Sequence, residues 1–180
     1  MQWWESLKRY TWTDRKPALN VSFSGSGFLL FYHLGVAKAL QEEGWIQPHS
    51  KFAGASGGAL VATVLAAGIP LDHAFQVGKS VVSDCREQGT GWQLERILTE
   101  VLTKTLSNVQ IHRVQDRLSI ATTRLWPNPK MVLKNTFDSK EDLMHTILTS
   151  CYIPCYSASS PMRSFQGEFH IVGFEFFEII

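Results

Sequence analysis

Apolar and polar positions change rhythm several times along the chain, and the changes predict its elements. Leu19 to Phe23 (LNVSF) alternates, is rich in β-formers and runs into the glycine-rich SGSG. From Phe28 to about Glu43 the spacing predicts a helix. Its first half (Phe28, Leu29, Leu30, Phe31, Tyr32, Leu34) is apolar nearly all round, the pattern of a helix buried on every side, and Gly44 is its expected stop. Lys51 to Ala55 predicts a short strand that runs into Ser56. GGALVATVLAA predicts a helix directly after it, capped by Gly68 with Pro70 beyond. Gly25 and Ser56 are 31 residues apart, the size of one βαβ unit. The two strands should then be parallel and joined by a right-handed crossover. Both loops should open at the C-terminal edge of the sheet, where open α/β sheets place their sites.

Further on, Leu71, Ala74, Phe75, Val81 and Val82 mark an amphipathic helix, and Leu94, Ile97, Leu98, Val101 and Leu102 mark another. Arg117 to Leu125 and Lys130 to Phe137 predict two strands of a hairpin around Trp126-Pro127-Asn128-Pro129. Ser139 followed by Lys140, Glu141 and Asp142 is a helix-start pattern, with Ser139 as cap and an acid three residues on. That helix runs to about Ser150, and Pro154 closes the segment. There are no repeats and no low-complexity linkers.

Composition narrows the class. The chain has 180 residues, 44% of them hydrophobic, enough for one domain with a real core. Lys plus Arg is 17 against 16 for Asp plus Glu, so no basic excess marks a nucleic-acid surface. Cys85, Cys151 and Cys155 are odd in number and lack metal-ligand company, the pattern of a reduced, cytoplasmic setting. The longest apolar stretch, Gly58 to Leu71, is too short to span a bilayer and is interrupted by Gly68 and Pro70. The N-terminus carries no apolar core of a secretory signal. It mixes Trp3, Trp4 and Trp12 with Lys8, Arg9, Arg15 and Lys16, a composition found at membrane surfaces and also in segments that pack on their own domain.

The candidate chemistry sits at residues 54–58, GASGG. One reading is a tight strand-to-helix turn, where glycine is permissive. The sharper one is a nucleophile elbow of the G-x-S-x-G type, with Gly54 and Gly58 flanking an exposed Ser56 hydroxyl. A serine needs a base to take its proton and donors to hold the oxyanion. Backbone amides of a glycine loop supply such donors, and losing one costs about 3 kcal/mol in the transition state. Gly25-Ser26-Gly27 lies on the neighbouring loop. A dinucleotide loop competes for the same glycines, but its last glycine position holds Leu30, and no Gly-Lys-Ser/Thr follows for a phosphate loop. His73, His112, His145 and His170 follow the serine without a motif that marks a base. His33, inside the apolar helix, reads as a hydrogen-bonded core residue.

Together, SFSGSGFLLFYHLGVAKAL and KFAGASGGALVATVLAAG resemble the start of a patatin-like phospholipase domain, in its adipose-lipase branch. The likeness runs from about Leu19 to Val172 and includes LSIATTRL and DSKEDLMHTILTSCYIP. It implies an α/β fold, a three-layer α/β/α sandwich with a mostly parallel central sheet, truncated at the C-terminus. The partition it implies is an N-terminal extension over 1–18, a partial patatin-like domain over 19–172 and an atypical tail over 173–180. It implies a Ser–Asp dyad with Ser56 as the acylated nucleophile and Gly25, Ser26, Gly27 and Phe28 as the oxyanion hole. It implies acyl-ester lipid substrates (triacylglycerol, phospholipid or retinyl ester), a peripheral membrane or lipid-droplet surface, and no metal or other cofactor. The family's glycine loop ends in glycine where this chain has Leu30. The family's Asp, in an Asp-Gly-Gly or Asp-Gly-Ala turn, falls on Gly173, or on Val172 with a one-residue slip. Glu175 and Glu178 lack the glycine turn, and GFEFFEII reads as foreign to the family pattern. An enzyme lacking its base loses about 10²–10⁴ in rate. The alternative expectation is therefore a catalytically inactive, lipid- or partner-binding product on the same scaffold. A tail of the FEFFEII type beside an open sheet edge is also an aggregation risk.

Overall fold

The structure is a computed structural model that describes residues 16–173. Trp3, Trp4, Trp12, Lys8, Arg9, Arg15, Glu175 and Glu178, on which expectations above rest, lie outside the described residues.

The predicted βαβ unit is present. Strand β1 (Val21–Phe23) leads into a 3-10 turn (Gly27–Leu29) and helix α1 (Leu30–Glu42). Strand β2 (Phe52–Ala55) leads through Ser56 into helix α2 (Gly57–Ala67). β1 and β2 pair in parallel, Val21 opposite Phe52 and Phe23 opposite Gly54. Gly68 ends α2 in the left-handed region at φ 70°, so it closes the last turn without a Cβ penalty. Helices α3 (Leu71–Gln88) and α4 (Leu94–Thr105) follow, α3 packing on α1 and α2. Strands β3 (Leu118–Arg124) and β4 (Lys130–Lys134) form the predicted hairpin, with a cis Trp126–Pro127 peptide in its turn. Helix α5 (Lys140–Ser150) starts at the predicted cap: Ser139 Oγ accepts the Asp142 amide at 3.1 Å. Such a cap contributes about 1 kcal/mol.

Two short strands, β5 (Arg163–Phe165) and β6 (Glu168–Val172), complete the sheet through the turn at Gln166 and Gly167. The strand order is β1-β2-β3-β6-β5, with β4 also on β3. The parallel trio β1-β2-β3 is thus extended by antiparallel strands. β4 occupies one edge of β3 over Ile120–Arg124. The other edge is shared: β2 pairs with Leu118–Ala121, and β6 takes over at Thr122–Arg124 from the opposite direction. The ends of β2 and β6 therefore meet head-on.

α2 is the centre of the core. Nine of its residues are buried, and it packs on β1, β2 and β3. Phe52, Leu118 and Ile120 from the sheet, Leu143 and Ile147 from α5, and Leu102 from α4 close around it. α1 departs from expectation. The apolar run is not buried on every side, because Phe28 (46%) and Leu29 (74%) in the 3-10 turn and Tyr32 (73%) in α1 are exposed. Only one stripe, Leu34 and Ala37, is buried, and Leu30 and Phe31 pack partly on the core. An apolar sequence sets what a face could bury; whether another element covers that face is a tertiary matter. Leu30, where the glycine loop lacks its last glycine, is accommodated as one of these packing residues.

Candidate active site

Ser56 joins β2 to α2 at φ 51° and ψ −124°, a left-handed conformation that β2 and α2 hold from either side. For a non-glycine residue such a conformation costs about 1–3 kcal/mol, and it lifts the side chain away from the sheet. The turn can be this tight only because its neighbours are bare. A Cβ on Gly54 would stand 2.4 Å from the Gly58 carbonyl oxygen, and one on Gly58 would stand 2.1 Å from the Phe23 oxygen. So the glycines flanking Ser56 are set by contact of β1, β2 and the first turn of α2.

The glycine loop lies beside the elbow. A Cβ on Gly25 would stand 3.7 Å from the Ser56 Cβ, and one on Gly57 would stand 3.1 Å from the Gly27 amide nitrogen. Gly27 itself sits at φ 51°, a turn that a Cβ would strain. The Ser26 hydroxyl is buried without a hydrogen-bond partner, 2.9 Å from the same Gly57 position, and is an unused donor at the loop. Phe28 is half in solvent at the loop's outer end. The start of α2 adds its free amides and its dipole at this edge.

Two residues that sequence reasoning did not single out stand beside the elbow. Ser150, the fully buried last residue of α5, accepts the Ser56 amide on its Oγ at 2.9 Å and donates to the Ala121 carbonyl at 2.7 Å. Burial pushes the Cys151 thiol's pKa up to about 12, and the nearby Ser56 side chain offsets part of that rise. A neutral thiol is no base. Among the described residues, no carboxylate or histidine forms a hydrogen bond or ion pair with Ser56. His33 Nε2 faces the Ser24 carbonyl at 3.2 Å and its ring packs edge-on to Phe23. His145 Nδ1 meets Arg163 at 3.0 Å. His170 is buried against Thr122, with its pKa lowered by desolvation and partly raised again by Glu168.

The end of β6 reaches the same place. Val172 N donates to Tyr152 O at 2.7 Å and Gly173 N to Ser150 O at 3.3 Å. A Cβ on Gly173 would stand 3.3 Å from the Ala55 Cβ, one residue before the serine, and 2.5 Å from the Ala121 oxygen. Position 173, which the family resemblance assigns to Asp, is therefore beside the elbow and too crowded for a side chain on this backbone. Among the described residues no cluster of three or more His, Cys, Asp or Glu could hold a metal ion, and no helix is long and apolar enough to cross a membrane.

The chain is similar to known proteins. The family described as patatin-like phospholipase matches residues 21–174. Human 1-acylglycerol-3-phosphate O-acyltransferase PNPLA3 is 32% identical over 171 residues, 89% of this chain and 34% of that protein. Human patatin-like phospholipase domain-containing protein 2 is 31% identical over 166 residues, 88% of this chain and 32% of that protein. The chain thus spans about a third of the length of these relatives. The crystal structure of VipD from Legionella pneumophila superposes at a TM-score of 0.60 with 14% identity, over 88% of this chain and 46% of that one, a likeness of fold.

Proposed function

The chain belongs to the patatin-like phospholipase family, and from that premise we propose that Ser56 is the nucleophile of an acyl-ester lipid hydrolase or acyltransferase. The observation that carries the reading is the left-handed Ser56 at the end of β2 with the Gly25–Gly27 loop at its side. In the proposed reaction the Ser56 Oγ bonds to the ester carbonyl carbon and its proton passes to a base. The oxyanion is met by main-chain amides of the Gly25-Ser26-Gly27-Phe28 loop, within a unit spanning residues 19–172. The carbon–oxygen ester bond then breaks, the alcohol leaves with a proton, and the acyl group stays on Ser56. Water releases it as a fatty acid; a lipid hydroxyl takes it instead in a transfer, the reaction class named for the human acyltransferase relative. Substrates of the class are triacylglycerols, phospholipids and retinyl esters. The exposed Phe28, Leu29 and Tyr32 beside the loop support work at the surface of a membrane or lipid droplet on its cytoplasmic side.

A second reading, a lipid- or partner-binding protein without turnover, is favoured by what lies near Ser56: a neutral thiol, with Gly173 where the family carries Asp. A fluorophosphonate probe separates the two. Labelling of the full chain that disappears in Ser56→Ala, with release of fatty acid from a triolein emulsion, supports the enzyme. Equal labelling of wild type and Ser56→Ala overturns it in favour of binding alone.

A further inference from the structure

Three segments put large apolar side chains in solvent at the end of the molecule that carries Ser56. The first is the start of α1, where Phe28, Leu29 and Tyr32 stand beside the glycine loop. The second is the link between α3 and α4, where Trp92 is 71% exposed. Packing carries α3 to that end. Its Asp72 pairs with Lys38, in the second half of α1, at 2.7 Å, and its Phe75 meets Phe31, at the start of α1, with ring centroids 5.3 Å apart. α3 therefore runs toward the glycine loop, and residues 79–88, about 15 Å of helix, take it past Phe31. Trp92 N then donates to Tyr156 O at 2.6 Å, and Tyr156 stands on the segment after α5, whose last residue holds the Ser56 amide. The third segment is the turn after β3. That strand lies parallel to β2 with Ala121 opposite Ala55, continues to Arg124, and leaves Trp126 74% exposed just beyond.

These side chains form an uncharged rim around the elbow, and the charges next to them nearly cancel. Lys38 pairs with Asp72 beside α1, Arg96 with Glu100 and Arg163 with Glu95 beside Trp92, and Arg124 with Glu168 beside Trp126. Of the other charged neighbours, Lys79, Arg86 and Lys130 stand against Asp84 and Glu87, an excess of one cation. An anionic surface would gain little from such a rim. Trp and Tyr have an apolar body and a polar tip, and they settle at the headgroup level of a bilayer rather than in oil. A protein seated on all three points would shut lipid away from Ser56; a lipid layer seated there would present its esters to it.

We propose that this rim seats the chain on the surface of a zwitterionic phospholipid bilayer, with Ser56 turned toward it. The choice of a lipid occupant rests on the reaction proposed for Ser56. Attachment is apolar: each tip enters the headgroup layer, the contributions add, and no particular headgroup is recognised. Occupancy itself needs no turnover.

Sedimentation of the full chain with sucrose-loaded dioleoylphosphatidylcholine vesicles tests this. Binding is expected. It should change less than about threefold between about 50 and about 500 mM sodium chloride, or on adding phosphatidylserine to about 20%. Leu29→Ser, Trp92→Asn and Trp126→Gln, all surface changes, should each weaken it about tenfold, the worth of burying one large apolar side chain. Asn tolerates the left-handed backbone of position 92, at φ 61°. Leu19 is also exposed but lies at the opposite end, where its amide donates to Trp45 O just past α1 at 2.9 Å. Leu19→Ser should leave binding unchanged, as should Ser56→Ala. The proposal is overturned by absence of binding, by binding that appears only with phosphatidylserine, or by binding to triolein drops and not to the vesicles. It is overturned as well if Leu19→Ser weakens binding as much as the three rim variants, or if lipid-free protein is a dimer that Trp92→Asn makes monomeric. Vesicle binding without fluorophosphonate labelling of Ser56 would remove the proposed reaction and leave the seat standing; labelling without vesicle binding would do the reverse.

Discussion

The two ends of α2 sit in opposite packing regimes. Around its first turn, main chain lies against main chain: Gly54, Gly57 and Gly58 leave no space for a single methyl group. Past that turn, where Leu60, Thr63 and Val64 border α3 and α4, side chains fail to meet and leave an apolar cavity of about 100 Å³. The first regime holds a strained serine still. The second leaves apolar side chains short of contact. The contrast teaches that one helix can pack in two ways: its glycines let backbones touch at a strand edge, and its Leu60, Val61 and Val64 border a gap below the facing helices.

An added methyl group tests the contrast most severely. Gly58→Ala places a Cβ 2.1 Å from the Phe23 oxygen and 2.4 Å from the Ser24 oxygen, both backbone atoms. It should destabilise by about 3 kcal/mol or more, read as a fall in the urea midpoint or as loss of soluble protein. A variant of wild-type stability would break the claim that the elbow is held by main-chain contact. Next in size, Ser150→Ala leaves the part-buried Ser56 amide without its acceptor and should cost about 1–3 kcal/mol in the same measurement. At the other end, Val101→Ile puts its methyl into the cavity and should leave stability unchanged or raise it by up to about 1 kcal/mol. If it destabilised as Gly58→Ala does, the two regimes would be one.

The smallest effect is a slope. His170 has its folded-state pKa lowered from 6.5 by burial, so the unfolded chain binds its proton more readily. Its contribution is fully present above pH 6.5 and is lost as pH falls from there through the lower, folded-state value. Melting temperatures at about pH 7.5 and about pH 5.5 should differ more for wild type than for His170→Gln. An unchanged slope in the variant would remove His170 as the cause.

Much of the tight regime could be read in the sequence, because its constraints are local. GASGG and SGSG are glycines at fixed offsets from a serine, Gly68 ends α2, and Ser139 caps α5; each is a short-range rule. The exposed face of α1 was not legible, since Phe28, Leu29 and Tyr32 have the same hydrophobicity whether covered or bare. β5 and β6 are too short to stand out, and their turn at Gln166-Gly167 carries little of the usual hairpin signature. Ser150 was out of reach for another reason. A serine at a helix end reads as a stop signal, and its bond to Ser56 spans 94 positions of chain.

Because β2 and β6 run at each other along one edge of β3, the residue facing the serine across that junction is decided by parity. Side chains alternate along β6, so Val172 and Gly173 point to opposite sides of the sheet. Adding one residue at the Gln166-Gly167 turn would carry Val172 into the place of Gly173, where a Cβ stands 2.5 Å from the Ala121 oxygen, so on this backbone the junction admits only the register that presents a glycine.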